Sequence, residues 1–296
     1  MPNAADTFTN SFAAGEKLVI ARRAFFSAGR VLRRADWSDA VNREVYSKDF
    51  FPHGHDYLLS VFYQGTPREE DGMIVNISEI KPILARILEP LDDAFLNDLP
   101  AFKDRAPTLE NLIEYLWNQL PSRIEDGVLA RLCLQESDKF WAQKFADSHT
   151  ADSHTADSQI MKLTRKYEFA AAHRLHAPTL SEEENSSRYG KCNNIAGHGH
   201  NYGLEVTIEG EPNADSGVLI APAELDAIVE KEVFERFDHK HLNVDCPEFQ
   251  NLIPTSENLA RVIFEKLQPA LKTDSRRLAK IGLNETQKNY FEVEAA

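Results

Sequence analysis

Alternating apolar and polar positions predict several β-strands in the second half of the chain. Between residues 201 and 209 every second residue is apolar, which is typical of a strand with one buried face. A second alternating segment runs from Leu163 to His173, and a third lies close to the C-terminal end. The apolar positions of these three strands are Tyr202, Leu204, Val206 and Ile208; Leu163, Tyr167 and Phe169; and Ala279, Ile281 and Leu283.

Two segments between these strands have apolar residues at helical spacing. The first follows Pro222, and the second follows Thr255 and Ser256, either of which could cap a helix N-terminus. Their apolar positions are Leu225, Ile228, Val229 and Val233 in the first, and Leu259, Val262, Ile263 and Leu267 in the second. The order strand, strand, helix, helix, strand predicts an α+β fold with two helices on one face of an antiparallel sheet.

The two halves of the chain resemble each other, which indicates a tandem duplication. Five landmarks occur in the same order with nearly equal spacing. They are HGHDY from His53 and HGHNY from His198, Gly72 and Gly217, LDDAFLN from Leu91 and FDHKHLN from Phe237, PTLENL from Pro107 and PTSENL from Pro254, and LQES from Leu134 and LNET from Leu283.

A repeated polar tract, ADSHTADSHTADS, separates the halves at residues 146–158. Its composition predicts a flexible linker, because it buries too little apolar surface to offset the entropy of ordering. His149 and His154 in this tract could be considered as metal ligands, but a flexible segment holds no preformed geometry. We expect residues 1–145, the first half, to be a degenerate domain and residues 159–296, the second half, to be the catalytic domain.

Composition narrows the class of protein. The 296 residues are 42% hydrophobic and 27% charged, as in globular proteins, and the length allows about two domains. A net charge of −14 argues against a nucleic-acid-binding surface. The three cysteines, the lack of a long apolar run and the lack of a secretory signal pattern predict a cytoplasmic protein.

A cluster of histidines predicts a metal site. His198 and His200 are two residues apart on a predicted strand, so both side chains leave the same face. Their Cα atoms are expected about 6.5 to 7 Å apart, close enough for both imidazoles to bind one ion. His173, at the end of the preceding strand, is the natural third ligand. Three histidines with an open fourth position are typical of catalytic zinc, whereas HGH alone is equally consistent with a structural role.

A cysteine lies close to this cluster in sequence. Cys192 is six residues before His198, and a nearby cation would favour its thiolate as a base or nucleophile. The alternative is an inert buried thiol, the role that we assign to Cys133 and Cys246.

Three further polar residues are candidates for the same chemistry. Asp238 and His239 could relay a proton, although such a pair is more often a surface feature. Glu285 has the apolar parity of the last strand, where a carboxylate requires partners such as a planar pair of donors.

With these residues, the second half closely resembles the 6-pyruvoyltetrahydropterin synthase family and its 6-carboxytetrahydropterin synthase relatives. The similar stretches, in family order, are FAAAHRLH, GKCNNIAGHGHNY, FDHKHLN, PTSENLA and LNETQKN. The resemblance implies the tunnelling fold, zinc as the cofactor and 7,8-dihydroneopterin triphosphate as the substrate. It also implies active sites at subunit interfaces. Since the family typically forms hexamers of single domains, we expect a homotrimer of tandem chains.

The resemblance also implies roles for individual residues. The implied zinc ligands are His173, His198 and His200. The implied general base is Cys192, with Asp238 and His239 as its proton-transfer partners. The implied anchor of the pterin ring is Glu285, assisted by Thr255 and Ser256, with Glu257 as a neighbour.

The first half departs from this pattern. Aligning FFSAGRV with FAAAHRL places Gly29 at the position of His173. The rest of the comparison places Ser47 at the position of Cys192 and Asp93 at the position of His239. The retained residues are His53, His55, Asp92, Thr108 and Glu136. Two imidazoles without a third ligand form a weak zinc site, so we expect an inactive first half and about one zinc ion per chain. Alternatively, Glu136 and Thr108 could complete the pocket of the second half across an interface.

Two products are compatible with the resemblance. The five residues between Cys192 and His198 favour a pyruvoyl product and tetrahydrobiopterin synthesis, because many carboxy-forming members have a shorter gap. The alternative is a 6-carboxytetrahydropterin synthase of queuosine synthesis, which releases acetaldehyde with triphosphate. A third hypothesis is a non-catalytic pterin- or metal-binding scaffold, in which Cys192→Ala would leave function intact.

Overall fold

The computed structural model describes residues 17–146 and 160–295, so the predicted linker beyond Ala146, with His149 and His154, lies outside the described residues. The strands in these ranges are β1 Leu18–Arg30, β2 His53–Gly65, β3 Ala94–Phe95, β4 Arg123–Ile124, β5 Gly127–Ser137, β6 Phe140–Phe145, β7 Met161–His173, β8 His198–Gly210, β9 Lys240–His241, β10 Arg276–Thr286 and β11 Asn289–Glu294. The helices there are α1 Asp39–Tyr46, α2 Ile77–Leu88, α3 Leu109–Gln119, α4 Glu182–Tyr189, α5 Pro222–Val229, α6 Glu235–Phe237, α7 Leu242–Asp245 and α8 Ser256–Leu271. None of these helices combines the length and apolar character that spanning a bilayer requires.

One continuous sheet contains strands from both halves. Its order is β11-β10-β8-β7-β6-β5-β2-β1-β3, with β4 beside β5 and β9 beside β7. Each half contributes four main strands in the same arrangement, and all pairs among them are antiparallel. The halves join where β6 pairs antiparallel with β7. The predicted duplication is therefore confirmed in the topology.

The core lies between one face of this sheet and the long helices. The four apolar residues predicted to face inward from β8 are fully buried, as are their counterparts Tyr57, Leu59, Val61 and Tyr63 in β2. Helices α2, α3, α5 and α8 bury their apolar sides in the same cluster. The predicted α+β tunnelling fold is confirmed.

The structure changes one detail of the predicted helices and decides another. The helix after Pro222 does not run evenly through Val233, because α5 continues into a π-helical turn at Glu230–Phe234 before α6. Thr255, rather than Ser256, caps α8, since its hydroxyl accepts a hydrogen bond from the N–H of Asn258 at 3.3 Å.

A loop of the second half, residues 213–219, packs on the N-terminal end of α3 in the first half. The Thr108 hydroxyl donates to the carbonyl of Gly217 at 2.7 Å, and the N–H of Leu219 donates to Oε1 of Glu110 at 2.8 Å. Glu110 is only 3% exposed, and burial raises its pKa to about 7 although the Leu219 hydrogen bond opposes the shift. A carboxyl group is thus buried where the halves meet.

Glu110→Gln is expected to stabilise the protein at pH 8 but not at pH 5. An acid whose pKa is higher in the folded state stabilises folding at low pH, so stability falls as pH rises from about 4.5, the unfolded value, to about 7. The full loss is on the order of 3 kcal/mol, and glutamine avoids it while keeping an acceptor for Leu219. Urea unfolding at both pH values measures the difference. Glu257→Gln, at the equivalent exposed position, is the control; equal stabilisation by Glu110→Gln at both pH values would contradict the interpretation.

Candidate metal centre and active site

Three histidine side chains converge where β7 ends and β8 begins. Residue 173 lies directly opposite residue 198 in the antiparallel pair, and residue 171 lies opposite residue 200. The Nε2 atoms of His173 and His198 are 3.2 Å apart, and one ring nitrogen from each of the three histidines lies within 4.8 Å of the others. The sequence-predicted ligands His173, His198 and His200 are therefore brought together.

The state of these imidazoles fits a metal ion. The Nδ1–H of His173 donates to the carbonyl of Pro254 at 2.8 Å, which leaves Nε2 with its lone pair directed at the other rings. Nε2 of His200 is buried without a hydrogen-bond partner in the described part of the chain. Burial, followed by the neighbouring imidazoles, lowers the pKa of His173 and of His198, so both rings are neutral, the form that binds metal. Zinc is a typical ion for such a donor set.

The turn that leads into β8 depends on glycine. Gly197 has φ of +71°, and a Cβ atom there would lie 2.8 Å from the carbonyl oxygen of His173 and 2.7 Å from Nε2 of His241. A side chain would therefore push the backbone of β8 away from the end of β7.

Glu285 closes the other side of the histidine cluster. Its Oε1 accepts a hydrogen bond from the Ser256 hydroxyl at 2.7 Å and lies 3.9 Å from Nε2 of His200, while Oε2 accepts from Asn289 at 3.2 Å. Burial opposes ionisation, but the hydrogen bonds from Ser256 and Asn289 hold the pKa of Glu285 below its usual value. The predicted pair Glu285 and Ser256 is in direct contact, whereas Thr255 is engaged as the cap of α8.

Cys192 lies in a 3₁₀ turn, Gly190–Asn193, that follows α4. Its carbonyl accepts a hydrogen bond from Leu175, two residues beyond His173, which ties this turn to the end of β7. The thiol is half-buried, and burial together with the charge of Glu285 raises its pKa. The side chains on their own therefore favour the neutral thiol.

Asp238 and His239 form a pair against the middle of β7. Asp238 accepts the N–H of Ala170 at 2.8 Å with one oxygen and lies 2.9 Å from Nδ1 of His239 with the other. The His239 side chain is 83% exposed. It borders a cavity of about 430 Å³ that His200 also lines. Through His239 the pair thus borders the same cavity as the backbone region of His200.

Three contributors were not singled out from the sequence. They are the carbonyl of Pro254, the side chain of Asn289 and the hydroxyl of Tyr202, which lies 3.4 Å from Nδ1 of His173. Pro254 belongs to the repeated PTSENL landmark, which could have drawn attention to it. Asn289 is the last residue of the LNETQKN stretch, but its contact with Glu285 depends on the turn between β10 and β11.

The first half repeats the scaffold, but its alignment with the second half differs from the one based on sequence. Arg30 lies opposite His53 in the β1–β2 pair, as His173 lies opposite His198 in β7–β8. Arg30, not Gly29, therefore occupies the position of His173. The sequence alignment was wrong because it matched the arginines of GRV and HRL, whereas strand pairing defines the equivalence.

A second assignment changes for a similar reason. The carbonyl of Asp49 accepts a hydrogen bond from Leu32 at 2.8 Å, as the carbonyl of Cys192 does from Leu175 at 2.8 Å. Asp49, not Ser47, therefore occupies the position of Cys192. The loop before the histidines is two residues shorter in the first half, so counting back from the histidines gave the wrong residue.

Other correspondences agree with the sequence comparison. Asp93 replaces His239, and both residues have φ of +55°. The residue before Glu136 pairs with Leu58, five residues after His53, and the residue before Glu285 pairs with Gly203, five residues after His198. Glu136 therefore corresponds to Glu285.

Comparisons with known proteins agree with this organisation. A family model described as 6-pyruvoyl tetrahydropterin synthase matches residues 19–146 and again residues 162–296. A 6-pyruvoyl tetrahydrobiopterin synthase of Drosophila melanogaster is 42% identical over 127 residues, which are 43% of this chain and 75% of the relative. The Homo sapiens protein of that name is 39% identical over 128 residues, or 43% of this chain and 87% of the relative. A solved Caenorhabditis elegans 6-pyruvoyl tetrahydropterin synthase shares 39% identity, with coverage of 46% of this chain and 96% of that one and a TM-score of 0.44.

The fold and the histidine cluster define a tandem tunnelling-fold enzyme, in which one architecture occurs twice along a continuous sheet. The family match covers both copies. The chain belongs to the 6-pyruvoyl tetrahydropterin synthase family, and it is a lyase of that type.

Gly197→Ala is expected to destabilise the protein and to reduce its metal content. The left-handed backbone costs alanine about 1 kcal/mol, and the contacts with His173 and His241 add to this cost. Gly190→Ala is the control for a positive φ without crowding, because its φ is +53° and its ψ is −124°, and a Cβ there meets nothing within 4 Å. Urea unfolding and metal analysis compare the two. Because both substitutions carry a backbone cost, metal content decides, and equal metal content in both variants would contradict the proposed steric role of Gly197.

Proposed function

We propose that the second half is a zinc-dependent lyase that converts 7,8-dihydroneopterin triphosphate into 6-pyruvoyltetrahydropterin and triphosphate. We propose that the first half, residues 1–145, is catalytically inactive. The observation that carries the proposal is the convergence of His173, His198 and His200 beside Glu285. The relatives named 6-pyruvoyl tetrahydrobiopterin synthase support it, and three free cysteines are consistent with a cytoplasmic location.

The three histidines are the proposed zinc ligands. When bound, zinc would act as a Lewis acid toward the side-chain oxygens of the substrate and would acidify the adjacent C–H bond. The contribution of the chain is to keep the imidazoles neutral and oriented. Burial keeps the pKa of His173 low, and the Pro254 carbonyl holds its Nδ1–H, so that Nε2 remains available.

Glu285 is the proposed anchor of the pterin ring. An ionised carboxylate can accept two parallel hydrogen bonds from the planar N–H edge of a pterin. The hydrogen bond from Ser256 at 2.7 Å orients this carboxylate. Thr255, which accepts from the backbone of α8, keeps a hydroxyl hydrogen that can be donated to the ring.

Cys192 is the proposed general base for the substrate side chain. Its thiolate would remove the acidic proton, the dihydropterin ring would be protonated in an internal redox step, and triphosphate would leave. Because burial and Glu285 raise the pKa of the thiol, thiolate formation requires a compensating cation nearby. Asp238 and the exposed His239, 2.9 Å apart, would exchange the proton with solvent.

A pyruvoyl product is favoured over a carboxy product. The five residues between Cys192 and His198 match the pyruvoyl-forming pattern, and the relatives at 39–42% identity are named for pyruvoyl formation. Formation of a 6-carboxy product would require loss of a two-carbon fragment as acetaldehyde.

We expect the purified zinc-loaded protein to release triphosphate from 7,8-dihydroneopterin triphosphate without acetaldehyde, and mass spectrometry should detect the 6-pyruvoyl product. Cys192→Ala should reduce turnover by about 100-fold or more while keeping its zinc, because a general base contributes about 10²–10⁴-fold. Cys246→Ala, which removes a buried thiol away from the cluster, is the matched control.

Two results would count against this proposal. Acetaldehyde together with a 6-carboxy product would move the enzyme to the carboxy-forming class. Full turnover by Cys192→Ala would show that another group is the base.

We also propose that chains assemble by antiparallel pairing of β11 in one chain with β1 in the next. Within the chain β6 pairs with β7, and the repeat makes β11 the equivalent of β6 and β1 the equivalent of β7. The same pairing between chains would put Glu292 opposite Val19 of the neighbouring chain, as Gln143 lies opposite Lys162. Exposed apolar side chains on these strands support the pairing, with Val19 57% and Tyr290 45% exposed. We propose that three chains close this ring.

Light scattering should therefore give a particle of three 33.5 kDa chains. Val19→Glu should weaken the assembly, because it creates a like-charge pair with Glu292, whereas Val19→Lys should preserve it by creating an opposite pair. A monomer, or particles of two or six chains, would contradict the trimer. Equal effects of the two Val19 variants would contradict the proposed pairing of β11 with β1.

A further inference from the structure

The first half contains a buried arginine at the position where the second half has its third histidine. The Arg30 side chain is only 2% exposed. Its Nε donates to Nε2 of His53 at 3.3 Å, its Nη1 donates to the carbonyl of Pro107 at 3.2 Å, and its Nη2 forms an ion pair with Glu136. A single guanidinium group therefore joins three separate segments of this site, namely the start of β2, the segment before α3 and the end of β5.

The equivalent groups in the second half are His198, the carbonyl of Pro254 and Glu285, but among the described residues no single side chain bonds to all three. Nε2 of His173 faces His198 at 3.2 Å, and its Nδ1–H donates to the carbonyl of Pro254 at 2.8 Å. Glu285 lies across the cluster, near His200. A neutral imidazole reaches the first two groups but supplies no positive charge to the carboxylate. The longer and permanently charged arginine reaches all three.

We propose that the Arg30 guanidinium is a built-in cation that takes the place of a metal ion in the first half. Its positive charge neutralises Glu136 and excludes a second cation, and its Nε–H occupies the Nε2 lone pair that His53 would otherwise offer to a metal. The comparison rests on the proposed metal site of the second half. The contacts of Arg30 are observed independently of it.

The surrounding residues form an ionic cluster around Arg30. Nε2 of His55 lies 3.4 Å from Oε1 of Glu136 but makes no hydrogen bond in the described part of the chain, so the guanidinium is the group that holds this carboxylate. Asp49, at the position of Cys192, lies 4.0 Å from Nε2 of His53 and adds negative charge next to the guanidinium. Glu136 is thus paired with the Arg30 guanidinium through one of its two oxygens.

The test is the metal content of the full-length, tag-free chain after zinc loading and dialysis. We expect about one equivalent of zinc per chain for the wild type. In R30H the new histidine joins His53 and His55, so the content should rise by about one equivalent. Cobalt(II) loaded in place of zinc should show a matching increase in visible absorption. Arg33→His, at an exposed position nearby, is the control for adding a histidine alone and should not change the content.

The difference between R30H and the wild type is informative even if the second half binds no metal. In that case the wild type would contain no zinc and R30H would contain about one equivalent. This result would refute the proposed function but not the role of Arg30. Two equivalents in the wild type, or an unchanged content in folded R30H, would overturn the role of Arg30.

A second variant covers the case in which R30H does not fold. His53→Ala removes a partly exposed side chain that would be a ligand only if the first half bound metal. We expect its zinc content to equal that of the wild type, whereas the equivalent variant His198→Ala should lose zinc. Loss of zinc from His53→Ala would overturn the proposal.

Discussion

The antiparallel pairing of β7 with β8 is the constraint on which the candidate active site depends. Side chains alternate between the two faces of a strand, so a shift of one residue in this pairing would turn every histidine to the opposite face. The register is fixed over thirteen paired residues and by the buried side chains that β8 turns toward the helices. Gly197 lets the chain enter β8 directly beside the end of β7. The convergence of the three histidines is therefore a product of core packing as much as of the histidines themselves.

The same pairing in the first half supports different chemistry. The strands keep their register, yet the residue opposite the first histidine is arginine instead of histidine. A buried carboxylate at this point needs a positive charge or strong donors. Glu285 receives hydrogen bonds from Ser256 and Asn289, whereas Glu136 receives the guanidinium of Arg30. One scaffold thus holds a carboxylate in two ways.

Much of the fold can be predicted from the sequence, because an element with one buried face carries apolar residues at the period of a strand or a helix. The alternation from Tyr202 to Ile208, the helix after Thr255 and the convergence of His198 and His200 all depend on local periodicity. The identification of Gly29 and Ser47 with second-half residues failed, because equivalence between distant copies is set by strand pairing and by loop length. Neither can be read from a short motif. The contacts of Arg30 join three separate segments, so no local pattern predicts them.

The two helix N-termini that carry the PTLENL and PTSENL motifs differ in what covers them. On α3 the loop around Gly217 covers Glu110, and Leu219 of this loop donates one hydrogen bond to it. On α8 the equivalent Glu257 is exposed, because the first-half loop around Gly72 lies elsewhere in the same chain. Gly72 and Gly217 both have φ of +72°, so the two loops turn alike. If chains join as the halves do, the loop around Gly72 of a neighbouring chain would approach α8 beside Ser256 and Glu285. The proposed catalytic half would then be completed only by assembly, whereas the N-terminus of α3 is already covered within one chain.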